Sequence, residues 1–598
     1  MFILPEAAEH ILEEDNPSET IEKLVEDLES GTTVDRSTVE SVVQESSSTG
    51  DSDGESDSES DSEDEQTSDQ EEKDPDEEFD TSIEESENKE TVDEEKPSNE
   101  EDETDNRQET DAIKAVDSVS TEGLDGEIVE GDVISPSEAF EKIKNKKKST
   151  KDADQVINRK ETLDERFPEW CETMFKRELP ESEGRIDISS DYSIKGDITG
   201  QSRGQGEFDD FRKLFEDRYE KMVNLLDQRV GGARRVGDIH PRRHGGEQLT
   251  VVGLVWSKNV SRNGNYFIDL EDPSTNELLT VGWTDDSIKD TFEQVMEDEV
   301  IAIRGNLADD GDIMWGDDEV ERGRPPIMFP DIPRRKNRDG PSRPVKAAMI
   351  SDIHVGANEF YPKYWNEFVD WIRSDPTVKY LFVAGDLVEG VGVYPDQDEE
   401  LHVLDIHDQY AMVGRMFEQI PDDVQIFASV GNHDTVRLAE PQPTLPEKFR
   451  QYFPENTEFV GNPVTVEVNN IRVLMYHGMS INAISEAIPE FDPAEPIPIM
   501  ETMLKKRHVA PVYGKNVRLA PEEKDYLVIE DVPDVLHCGH VHKYGQETYN
   551  GVQMINTATW QGQTAFQKSK GIEPEVGYWS VIDLSTLDTE ERKVDQSD

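Results

Sequence analysis

Five short segments in the C-terminal half of the 598-residue chain constrain its fold more tightly than any other feature. They are Asp352-Ile353-His354, Gly385-Asp386, Gly431-Asn432-His433-Asp434, His477-Gly478 and Gly539-His540-Val541-His542. Each follows a run that reads as a buried strand: 345–351, 378–384, 424–430, 471–476 and 534–538. Short apolar runs of this kind suit strands of a sheet covered on both faces. Polar residues just past the C-terminal ends of such strands converge on one edge, where open α/β sheets place their sites.

The side chains at that edge are the kinds that hold metals. Five of the chain's 12 histidines fall in these segments. Hydrolysing a phosphodiester needs an activated water, neutralised equatorial oxygens and help for the leaving oxygen, which two metals ~3.5–4 Å apart supply. Asp386, alone on a tight Gly-Asp turn, is the natural bridging carboxylate. Asp352 and His354 are expected to alternate along a strand end and so share a side, as are His540 and His542. Asn432 offers an amide oxygen and His477 an imidazole. Mixed carboxylate, imidazole and carbonyl ligands favour Mn2+, with Fe2+, Zn2+ or Mg2+ as alternatives, over Ca2+. His433 lies beside a ligand without needing to be one; over the phosphate it would protonate the leaving group, and Asp434 would orient it. His402, His407 and His537 earn no such role, and His407 reads as a surface position on a helix.

The rest of the chain divides by composition. Residues 1–34 carry helical spacing, including Ile21, Leu24, Val25 and Leu28, and read as an interaction module. Residues 35–126 are Ser/Asp/Glu-rich; 51–110 alone hold 30 acidic and 4 basic residues, too polar to offset the entropy of ordering, and read as a disordered linker. A helical and extended region with a basic patch (Lys142 to Lys151) spans 127–245. Residues 246–332 switch to alternating strands separated by turns such as Ser261-Arg262-Asn263-Gly264, which suits an OB-type barrel. Its Trp256, Tyr266, Phe267 and Trp283 either stack nucleotides or fill the core. A basic linker, 333–344, leads into a final domain at 345–598. The fold class is therefore α+β and multidomain: a barrel followed by an α/β sandwich.

The formal net charge is -75, of which -49 lies outside 51–110. Such an acidic surface suits a cytoplasm at molar salt, where screening acts within ~3 Å. In that setting, local basic islands carry the nucleic-acid signal. Arg334, Arg335, Lys336 and Arg338 form one, and Lys505, Lys506 and Arg507 another, the latter equally readable as a solvated loop. The two cysteines are too few for a disulfide framework or a cysteine-based zinc site. No run approaches the ~20 apolar residues of a membrane span, and the N-terminus lacks a basic signal-peptide region, so a cytoplasmic location is expected.

The five segments resemble the calcineurin-like metallophosphoesterase superfamily over roughly residues 345–585. Its protein phosphatases carry Asp-Arg-Gly and Gly-Asn-His-Glu where this chain has Asp386-Leu387-Val388 and Gly431-Asn432-His433-Asp434, which favours nucleases. Together with the upstream barrel, three further stretches resemble the small-subunit family of archaeal D-family DNA polymerases: Asp197-Ile198-Thr199-Gly200-Gln201-Ser202, His508-Val509-Ala510-Pro511-Val512-Tyr513-Gly514 and Asn556-Thr557-Ala558-Thr559-Trp560-Gln561. The resemblance implies a proofreading 3′→5′ exonuclease that acts on single-stranded and primer-template DNA and scaffolds a large catalytic subunit. The sliding clamp is a further candidate partner. By motif, Asp352, His354, Asp386 and His542 would hold one metal and Asp386, Asn432, His477 and His540 the other, with His433 catalytic. The alternatives are a catalytically silent scaffold, as in the related eukaryotic B subunits, and a repair nuclease of the same superfamily. Retention of every ligand argues against the first, and a barrel ahead of the domain against the second.

Overall fold

The computed structural model describes residues 2–3, 33–34, 159–182, 185, 192–317, 325–334, 340–395, 397–514 and 517–595. The chain divides into two compact units, Met1–Glu127 and Ile128–Asp598. In the first, Phe2–Ile3 and Thr33–Val34 pair in parallel. The expected N-terminal helices, the acidic tract and the Lys142–Lys151 patch lie outside the described residues.

Within the second unit, five strands close into a barrel: Gln248–Val260, Tyr266–Asp272, Glu277–Trp283, Ile313–Gly316 and Val300–Leu307, the last pairing back onto the first. Tyr266–Asp272 alternates buried and half-buried positions, the period-2 signature of a strand with one face inside. Val251, Ile268, Leu270, Val281, Ile301 and Ile303 fill the interior. The expected Ser261–Gly264 turn forms, with Gly264 at φ +84° donating to the Ser261 carbonyl. Of the four aromatics singled out, Tyr266 and Trp283 are core, whereas Trp256 is 60% exposed.

The C-terminal body is a sandwich of two six-stranded sheets. In the first, Lys346–Ile350, Val378–Val383 and Gln425–Ala428 run parallel. Alternation along these strands separates two cores. Ala347, Met349, Tyr380 and Phe382 meet Val466, Val473 and Val535 of the second sheet. Ala348, Ile350, Leu381 and Val383 face the helices Pro362–Ser374 and Ile406–Phe417. Burial on both faces explains why these strands read as continuous apolar runs. Two upstream stretches join this body. Tyr192–Lys195 adds an antiparallel edge to the second sheet through Val464–Val468, and Trp170, Cys171 and Met174 of helix Pro168–Phe175 enter the helix-side core.

Helix Phe208–Val230 ties barrel to sandwich. Its Tyr219, Met222 and Leu226 pack with Val252, Leu254 and Val300 of the barrel and with Val528 of the sandwich. Arg218 on the same helix donates to Asp525 at 2.6 Å, and His508 lies 3.0 Å from the same carboxylate oxygen. Beside it, the Lys506 ammonium sits 2.7 Å from Glu299 of the barrel and over the Phe329 ring.

These contacts take Lys506 and Arg507 out of the DNA-facing island read at 505–507. Helix Pro496–Lys506 ends in a left-handed Arg507, which turns Lys506 toward a buried barrel carboxylate and Arg507 onto the Ile529 and Glu530 carbonyls. Lys505, half-buried, pairs with Glu501 one helical turn away. Burial lowers Lys506 to about 8 and raises Glu299, so each charge is held at a desolvation cost and the pair fixes the interface more than it stabilises it. Lys506→Met is therefore expected to lose about 3–5 kcal/mol by stranding Glu299. The double variant with Glu299→Leu should return to wild-type stability or above. Denaturant unfolding of the four members of this cycle checks both. Among the described residues, no helix is long and apolar enough to cross a membrane.

Candidate metal centre

The five segments leave their strands at one edge, but not in the extended backbone expected of alternating ligands. Asp352, His354, Asp386, His540 and His542 all take positive φ, between 50° and 73°. Each left-handed non-glycine residue costs on the order of 1–2 kcal/mol, so a run of five marks a site held against its local preference. Backbone bonds impose the shape: Asp352 N–H donates to the Gly385 carbonyl, and Ile353 and His354 N–H to that of Asp386. Glycines leave the room. A β-carbon on Gly431 would lie 2.2 Å from Asp386 Oδ1, and one on Gly539 would lie 2.3 Å from Asp352 Oδ2.

The ligand atoms then meet. Asp386 Oδ2 lies 3.2 Å from His477 Nε2 and 3.7 Å from His354 Nε2. His354 Nε2 is 3.8 Å from Asp352 Oδ1 and 3.1 Å from His542 Nε2, and His542 Nε2 is 3.5 Å from Asp352 Oδ1. On the other side, His477 Nε2 faces Asn432 Oδ1 at 3.1 Å, and the His540 ring lies 5.1 Å from that of His477. Among the described residues, three groups of potential ligands result: Asp352, His354, His542; Asp352, Asp386, His477; and His354, Glu389, His433. Asp386 is common to both sides because its one oxygen faces a histidine in each.

Hydrogen bonds select the tautomers. His354 Nδ1 meets Glu389 Oε2 at 2.7 Å, and His477 Nδ1 meets the Ala384 carbonyl at 2.8 Å. Both acceptors require a proton on Nδ1, which leaves each neutral ring with its Nε2 lone pair directed into the cluster. Lone pairs and carboxylate oxygens thus face one another in a buried space, and the ionic partners of Asp352 and Asp386 are histidines throughout. Against the burial that would neutralise them, the carboxylates draw His477 up to about 9 and raise His354, while Asp386 stays far below the usual carboxylate range, so positive charge is favoured where the two Nε2 atoms meet the carboxylates, a demand that a second proton or a metal ion meets. This donor set fits a divalent cation on each side of Asp386.

A family model described as calcineurin-like phosphoesterase matches residues 345–544. The DNA polymerase II small subunit of Halobacterium salinarum is 42% identical over 401 residues, covering 66% of this chain and 77% of that one. The corresponding subunit of Archaeoglobus fulgidus is 39% identical, covering 64% and 76%. That of Thermoplasma acidophilum is 34% identical, covering 76% and 89%. The chain belongs to the DNA polymerase II small-subunit family. The resemblance read from the motifs holds, and this member carries a metallophosphoesterase domain of the kind that uses divalent metals.

In this family member, His433 is oriented differently from expectation. Asp434 does not touch the ring: its carboxylate turns inward to accept from the Gly431 and Leu387 N–H groups and the Tyr410 hydroxyl. Neighbouring residues on a turn point apart, and this one closes the loop from within. Burial, then Asp386, pushes it up to about 7. The ring is held instead by Glu389, whose carbonyl lies 2.7 Å from His433 Nδ1 and whose carboxylate lies 3.8 Å away.

Glu389 is the residue that sequence reasoning left without a role. It sits three residues past Asp386, buried, and receives Gln397, Gln561 and Tyr394 as well as His354. Against its burial, the His433 and His354 rings beside it hold it down to about 2. Glu389→Gln is expected to weaken metal binding and turnover by about 10–100-fold, the usual effect of losing a carboxylate behind a ligating histidine. Metal titration alongside turnover measures it.

The three histidines given no role in the sequence take structural places. His402 stacks on Trp170, His537 reaches Thr557, and His407 is half-buried against Phe449 and the Tyr452 hydroxyl instead of standing on the surface. Of the linker's basic residues, Arg334 is exposed; Arg335, Lys336 and Arg338 lie outside the described residues.

Proposed function

We propose that this small subunit is a two-metal 3′→5′ exonuclease that removes nucleotides from DNA ends and scaffolds a large catalytic polymerase subunit. The observation that carries the reading is a full set of ligands around Asp386 with His433 held separately by Glu389. A purely structural metal site has no use for His433. Mn2+ is the first candidate metal for both sites. When bound, two such ions supply an activated water and neutralise the phosphate oxygens.

The chain's own residues do the rest. Asp352, His354, Asp386 and His542 would seat one ion, and Asp386, Asn432, His477 and His540 the other. With Nδ1 committed to the Glu389 carbonyl, His433 keeps Nε2 for the ester, where it donates a proton to the departing 3′-oxygen. Water attack on phosphorus with that oxygen leaving releases a 5′-mononucleotide.

The test is purified full chain with Mn2+ and a 3′-labelled oligonucleotide in high salt. Release of labelled 5′-mononucleotide supports the reading. No degradation with metal bound would leave only the scaffold, which the names of the relatives favour independently. Co-purification of a large polymerase subunit from native extract tests that second role.

A further inference from the structure

Beside the metal centre two aromatic rings form a platform that the ligand geometry does not require. Tyr394 and Phe566 stack at 5.4 Å with 26° between their planes, and Tyr394 lies 6.3 Å from the His433 ring. Phe566 is nonetheless 47% exposed, on the five-residue helix Ala565–Ser569, which has no buried residue of its own. Polar bonds fix the helix in place. Its cap, Thr564, and Gln567 bond reciprocally, and the Gln567 amide reaches His542 Nδ1 at 2.8 Å. Glu400 clamps both rings, accepting the Phe566 N–H on one oxygen and the Tyr394 hydroxyl on the other. The Tyr394 hydroxyl also lies 3.1 Å from Glu389, the group that positions His354 and His433, so its one proton is shared between the two carboxylates.

A solvated ring this firmly preorganised, one residue from a contact to His542, is a surface for a flat ligand. Exposed Lys568 and Lys570 flank it, the latter with its ammonium 6.0 Å from the Phe566 ring. Aromatic faces bordered by cations suit a base and its phosphates.

We propose that the Tyr394–Phe566 stack seats the unpaired 3′-terminal base of a DNA strand whose last phosphodiester lies at the metal centre. This rests on the nuclease reading above. A terminal base can cover Phe566 only after leaving the duplex stack, which costs least for a mispaired or single-stranded end. The platform would therefore select frayed ends, and its hydrogen bond to Glu389 couples an occupied seat to the residue that holds His433.

The test uses the full chain with Mn2+ and an oligonucleotide ending in 2-aminopurine, whose fluorescence is quenched by stacking. Stopped flow separates quenching on seating from later release of the nucleotide. Wild type should quench; Phe566→Ala should bind about 5- to 150-fold more weakly without quenching, and Phe566→Trp should restore it, all at equal metal content. Quenching by Phe566→Ala equal to wild type, or none by wild type, overturns the proposal. Quenching without any release would sustain the seat and sink the nuclease reading. Release from wild type and Phe566→Ala alike, with identical quenching, would do the reverse.

Discussion

Replacing Asp386 by alanine is expected to remove both metals and all hydrolysis. One oxygen of this carboxylate faces His477 at 3.2 Å and His354 at 3.7 Å, so a single atom touches both halves of the centre. Its other oxygen takes the His433 N–H at 2.8 Å. Alanine deletes the shared ligand and lacks the short polar side chain that makes a left-handed backbone tolerable at this position. Asparagine tolerates that backbone and keeps an oxygen for the His433 N–H, so the pair of variants separates loss of charge from loss of shape. The readouts are metal content and the shift in unfolding on adding Mn2+. Saturation at about a hundredfold over Kd stabilises a binding protein by ~2.7 kcal/mol. Wild type should show such a shift and Asp386→Ala none. Two metals retained by the alanine variant would take Asp386 out of the shared position.

What was legible in the sequence was local. Each ligand stands next to the glycine or strand end that positions it, so the five strands and the edge at which they converge could be read from runs of apolar residues. The backbone that turns the ligands inward could not. Alternation along an extended strand and a pair of left-handed turns both bring Asp352 and His354 to one side, and only the second is what the chain does. Glu389 escaped because its partners lie 35 and 44 positions away, across two other strands. Asp434 misled for the opposite reason, since adjacency to His433 in sequence is not adjacency in a turn.

The basic run at 505–507 shows the same limit. A lysine reads as solvated unless its carboxylate is in view, and Glu299 stands 207 positions upstream in another domain. Tyr192–Lys195 is a further case. Four half-polar residues carry little strand signal alone, and pairing with Val464–Val468 is what makes them a strand. In each instance the missing information is a long-range contact that no period or motif encodes.

His433→Ala is expected to keep metal and lose about 10²–10⁴-fold in turnover on DNA, the range of a positioned general acid. The histidine falls outside the two groups built on Asp352 and enters the third only through His354 and Glu389. Its bond to the Glu389 carbonyl fixes the ring without drawing it onto Asp386, so its removal should leave the metal seats standing. Loss of turnover alone would not distinguish a proton donor from a group that merely neutralises the phosphate. The leaving group does. An alkoxide needs its proton as the bond breaks, whereas p-nitrophenoxide departs without one. Thymidine 5′-(p-nitrophenyl phosphate) should therefore be cleaved by His433→Ala at a rate much nearer to wild type than DNA is. Equal losses on both esters would reassign His433 to charge stabilisation, and undiminished turnover on DNA would remove it from the chemistry altogether.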